Sequence, residues 1–148
     1  MFIKKNLKRI DVVNLYQALS ILQIGEVDQR DDNGQISKVV ALPVKTAYKI
    51  SRQKDKLKSI VETYDELQKA TKEKFDKEAE GLKETDKKYK DKIEKWKEDA
   101  TAAFKEISNE TEKAVEILEK PIELDDLGDV QIKSVVFELA PEDFFKVE

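Results

Sequence analysis

No proline interrupts the chain between Pro43 and Pro121, and Gly81 is the one glycine in that stretch. Apolar residues recur through it at helical spacing. Ala47, Ile50, Leu57, Ile60, Tyr64, Leu67 and Thr71 follow a 3–4 stripe, and Phe75 and Ala79 come at steps of four, so the register slips there. A heptad then resumes, with Leu82, Tyr89, Trp96 and Ala103 on one position and Ile93, Ala100, Ile107 and Ala114 on another. A segment like this has few ways to fold other than as long amphipathic helix.

Gly81 divides the segment evenly. Val44 to Glu80 and Leu82 to Leu118 are 37 residues each, or about 55 Å of helix per arm. The favoured architecture is an antiparallel helical hairpin or coiled coil with its tip near Gly81. An interior glycine costs only about 1 kcal/mol relative to alanine and cannot force a turn. One unbroken helix of about 110 Å that dimerises therefore stays open as the alternative.

The flanks predict a small base. Phe2 to Leu7 can be extended, and Asp11 can cap a first helix over roughly 12–24, with Val12, Leu15, Tyr16, Leu19, Leu22 and Ile24 on one face. Gly25 suits the position after that helix. Residues 26–40 read as a β-hairpin turning at Asp31-Asp32-Asn33-Gly34. An EF-hand reading fails, because Gln29 and Val40 would occupy the first and last ligand positions. Pro43 opens the long helix at its first turn. Pro121–Leu124 and Val130–Leu139 can be strands, and a last short helix starts at Ala140-Pro141-Glu142-Asp143 and carries Phe144, Phe145 and Val147. The expected protein is mostly α with an α+β base, a single domain over 1–148. Residues 1–42 and 119–148 form the base and 43–118 the hairpin.

Composition removes much chemistry. There is no cysteine and no histidine, which excludes disulfides, a thiol nucleophile, thiolate metal sites and the usual general base. Phosphate-binding glycine loops and the serine-hydrolase elbow are absent too. Asp125, Asp126 and Asp129 in a glycine-containing turn read as solvated acids, not a cation site. No metal or cofactor is expected, and the chain reads as non-enzymatic. Charged residues make up 41% of it, yet with both signs mixed and apolar residues periodic, which argues for folded helix. The longest apolar run, Val39 to Val44, is too short to span a bilayer, and no secretory signal opens the sequence. A soluble protein is expected.

Two groups of residues stand out as candidate sites. Lys45, Tyr48, Lys49 and Arg52 fall at i, i+3, i+4 and i+7 on one helix face, and no acid precedes Asp55 in that helix. Such a face, next to free N–H groups at a helix start, can hold an anion such as a nucleotide phosphate. The alternative is a solvated face whose lysines pair with acids of the returning arm or the tail. The second group is an interaction surface of Leu82, Tyr89, Ile93, Trp96, Phe144 and Phe145, left partly uncovered by thin arms and seeking a partner chain. Residues 116–148 carry ten acids and three lysines, whereas residues 1–10 hold Lys4, Lys5, Lys8 and Arg9 and no acid. Opposite charge favours the meeting of the two ends within or between protomers. Nucleic-acid binding is disfavoured, since no base-reading module is visible and the net charge is -4.

The order of a basic start, a Val-Asn-Leu-Tyr-Gln-Ala-Leu helix, the stretch Leu42-Pro43-Val44-Lys45-Thr46-Ala47-Tyr48-Lys49-Ile50 and an acidic tail resembles a group of small proteins of tailed bacteriophages. The resemblance spans residues 1–70 and 117–148. It implies phage origin, and with it a place in the host cytoplasm or the virion, but no particular activity. The expected function is contact, as a self-associating structural or assembly component or as an inhibitor of a host factor. An anti-defence sponge for an anionic nucleotide signal and a nucleic-acid-binding accessory protein are the alternatives.

Overall fold

A computed structural model describes residues 2–24, 26–28, 37–39, 42–83, 85, 87–120, 122–123, 139–140 and 144–146. In chain order the elements are β1 (Phe2–Lys8), α1 (Arg9–Ile24), β2 (Glu26–Asp28), β3 (Ser37–Val39), α2 (Val44–Glu80), α3 (Tyr89–Asn109), β4 (Thr111–Leu118), β5 (Ile122–Glu123) and β6 (Phe145–Lys146). The described residues are mostly helical, and β1 and β4 form a small antiparallel sheet.

The core lies where α1, the first half of α2 and β4 meet. Val12, Leu15, Ala18, Leu19 and Leu22 of α1 are buried against Ile50 and Leu57 of α2, and Val115 and Ile117 of β4 close the cluster with Ile122 and Phe144. The first helix begins three residues earlier than its cap suggested, so Asp11 sits inside its first turn, where a carboxylate favours the helix dipole. Strands β2 and β3 pair antiparallel, Glu26 with Val39, as the hairpin reading expects. Its Asp31–Gly34 turn lies outside the described residues, as do Gly25, Pro121, the Asp125–Asp129 turn, a strand over 130–138, and Pro141–Asp143 and Val147 of the last helix.

Two expectations need correction, the helical end of the second arm and the helix at Phe144 and Phe145. The second arm does not run as helix to Leu118. Helix α3 ends at Asn109, and 111–118 is strand β4. Val115 and Ile117 stand two residues apart and are both buried, as the strand period of two puts them on one face. Pairing with β1, from Phe2 opposite Leu118 to Lys8 opposite Thr111, overrides helix propensity here. The helix breaks at Gly81 without using glycine's freedom. Its φ is -77° and ψ -11°, ordinary right-handed values, and an added Cβ would meet Glu78 O at 3.4 Å. The last turn of α2 tightens instead, with Gly81 N donating to Glu78 O at 3.2 Å and Leu82 N to Ala79 O at 3.1 Å. Phe144 and Phe145 are not on a helix. Phe144 is a turn residue, and Phe145–Lys146 is strand β6, parallel to β5.

The start of the chain meets the 110–118 segment, most of which precedes the acidic tail over 116–148. Arg9 donates to Glu112 Oε1 at 2.9 Å, to Glu110 Oε2 at 3.2 Å and to the Ile107 carbonyl at 3.0 Å. The sheet also carries a bulge. Its register shifts between Lys5 and Leu7, whose partners are Val115 and Glu112, and Ala114 takes a φ of 58° while its N–H donates to Asn6 Oδ1 at 3.3 Å. A left-handed alanine costs about 1–2 kcal/mol. Ala114→Gly is therefore expected to stabilise the protein by about 1 kcal/mol, read in a thermal melt as a rise of about 3 °C.

Candidate functional site

Pro43 holds φ at -53° and ψ at 139° and so starts α2 cleanly, with no side-chain cap. The helix is then fixed in rotation by one buried stripe of Thr46, Ile50, Gln53 and Leu57. Gln53 is fully buried and joins the helix to the outer edge of β4. Its Nε2 donates to Glu116 O at 2.9 Å, and its Oε1 accepts from Leu118 N at 2.7 Å. One side-chain amide thus supplies the donor and acceptor of a neighbouring strand residue.

With that stripe inward, the basic face points outward. Lys45 and Tyr48 are exposed, and Lys49 and Arg52 are half-buried. The structure brings them together on one face and adds Phe2, which sequence reasoning missed. The Arg52 guanidinium lies 5.6 Å from the Phe2 ring centroid and 5.8 Å from that of Tyr48, and Lys56 Nζ lies 5.4 Å from Phe2. These are cation–π distances. Pairing of Phe2 with Leu118 in the sheet places it there, and a hydrophobic residue in an extended N-terminal segment carried no signal of that. The expectation that lysines of this helix pair with acids holds at Lys56, whose Nζ is 3.2 Å from Glu116. Lys54 instead donates to Gln23 Oε1 at 2.7 Å and stands 4.9 Å from the Tyr16 ring. Beside the face is a cavity of about 410 Å³ lined by Lys49, Leu118, Glu119 and Lys120.

The second candidate surface lies on α3 and the turn before it. Leu82, Tyr89, Ile93 and Trp96 are half-buried, and no residue of α3 is fully buried. Trp96 Nε1 donates to Phe75 O at 2.9 Å, and Tyr64 OH meets Ser108 Oγ at 3.5 Å while accepting from Gln68 Nε2 at 2.6 Å. Phe144 does not belong to this surface, for it is 4% exposed and packs in the core. The side chain of Phe145 lies outside the described residues.

Among the described residues, no group of acids is placed to hold a metal ion, and no helix is long and apolar enough to cross a membrane. What the two surfaces offer chemically is recognition, by cations and rings on α2 and by half-covered apolar side chains on α3. Comparison with known protein families, with curated proteins and with solved structures finds no match to this chain.

Proposed function

We propose that the chain works by contact, as a self-associating bacteriophage protein that serves as an assembly component or occupies a host factor. In this reading α3 folds back along the outer half of α2 as an antiparallel helical hairpin. The two cross-contacts support that sense, since Tyr64 meets Ser108 and Phe75 meets Trp96, so the partner number falls as the α2 number rises.

The observation that carries the reading is the incomplete burial of α3. Tyr89, Ile93, Trp96, Ala100, Ala103, Phe104 and Ile107 all lie along one stripe, and every one is only half-buried. Two helices side by side cannot enclose such a stripe, whereas a second hairpin laid against it makes a four-helix layer that can. Size-exclusion chromatography with light scattering is expected to give a multiple of the chain mass. Ile93→Lys is expected to return it to the single-chain mass with helix content kept by circular dichroism. A wild-type monomer at about 100 μM would refute self-association. The sponge reading rests on the exposed Tyr48 ring among cations. It ranks lower because Arg52 already faces two rings and Glu119 shares the adjoining cavity.

A further inference from the structure

The start of α2 is the most unusual surface among the described residues. Val44 and Tyr48 are the two most exposed large apolar side chains among the described residues, at 86% and 62%, and they sit one turn apart. Leu67, the next, is 37% exposed and stands alone farther along the helix. Cations surround the pair. Among the described residues, Lys45, Arg52 and Lys120 have no carboxylate within ion-pair distance. Arg52 is held against the Phe2 and Tyr48 rings, which lowers the ordering cost of using it in binding.

We infer that the first two turns of α2 are a docking surface for an acidic segment of another protein that brings an apolar side chain. Charge complementarity chooses the partner: an arc of cations favours carboxylates, and specificity and association rate follow from it. The apolar component decides between an acidic peptide and a nucleotide. Val44 offers nothing to a phosphate, and Leu118 contributes apolar lining to the cavity beside Lys49 and Lys120. The cavity thus offers an apolar side chain a seat between the two lysines, which a phosphate would not use. The pattern is that of an interface with apolar anchors inside a charged rim. The face is separate from the Tyr89–Trp96 stripe, so this inference stands independently of self-association.

The test is selection of short random peptides displayed on particles against the full-length protein, followed by fluorescence polarisation of the enriched peptides. The enriched set is expected to be net negative with at least one Leu, Phe or Trp. Binding is expected to weaken about tenfold or more in Val44→Ser/Tyr48→Ser and in Lys45→Glu. These positions are exposed, and circular dichroism checks that the fold is kept. Light scattering should show the same oligomer as wild type, which separates this surface from the α3 stripe. No enrichment, enrichment without acidic bias, or equal binding by the variants would overturn the inference. A labelled oligothymidylate and ADP form a parallel arm, and their binding at this face, lost in Lys45→Glu, would assign it to nucleotides instead.

Discussion

Replacing Gln53 by leucine is expected to lower the unfolding free energy by about 3 kcal/mol and the melting temperature by about 10 °C. Leucine keeps nearly the same volume in a fully buried position, so packing is not the cause. The loss comes from the backbone of β4. Glu116 O and Leu118 N each have Gln53 as partner on that edge of the sheet. An unmade hydrogen bond at a buried group costs about 1–3 kcal/mol, and two are left, while leucine returns part of the loss through apolar burial. Gln53→Glu separates the two bonds. It keeps the acceptor for Leu118 N–H, loses the donor for Glu116 O and places an anion beside that carbonyl, so it should be worse than leucine at neutral pH. Urea denaturation followed at 222 nm reads both. A leucine variant as stable as wild type would mean that water replaces the amide at this edge.

Arg9→Met is expected to cost about 2 kcal/mol. The guanidinium has only 8% side-chain exposure and serves three acceptors at the junction of α3 and β4. It meets the Ile107 carbonyl in the last turn of α3, where the helix dipole favours a cation and carbonyls lack helical partners. Methionine keeps the apolar stem but leaves Glu110 and Glu112 facing each other without the cation. Their carboxylates are 62% and 26% exposed, so water limits the loss. Adding Glu112→Gln to Arg9→Met should recover part of it, and the double-mutant cycle measures the coupling. Arg9→Lys should rescue little, since one ammonium cannot serve three sites spread around a planar fork. Full stability in Arg9→Lys would show that charge alone suffices.

The helical stripes were legible because burial and period coincide. The half-buried positions Tyr89, Ile93, Trp96, Ala100, Ala103 and Ile107 of α3 are those that the heptad selected. The buried stripe of α2 was legible for the same reason at Ile50, Leu57, Tyr64 and Phe75, but not at Thr46 or Gln53, and Leu67, read on the stripe, is exposed. A glutamine on an apolar face reads as surface, and only the position of β4 makes it a core residue. The end of α3 was missed because Ala114 continues the heptad. The competing signal was the alternation of Thr111, Val115 and Ile117, whose branched side chains suit a strand. It gains force only from β1, more than a hundred residues away. The basic face of α2 followed from spacing alone, whereas its aromatic neighbour Phe2 depended on that same long-range pairing.

That pairing also sets the order in which the chain can mature. Arg9 and Glu112 are 103 positions apart. A ribosome adding about 5–20 residues per second completes α2 only about 2–6 s before β4 begins to emerge, and α1 earlier still. Until then Phe2 and Ile3 have no strand to receive them, while the long helices, built from local contacts, can already form. Closing so distant a pair is the slow step of such a topology. Maturation should therefore consist of fast helix formation followed by late capture of the leading strand by its distant mate.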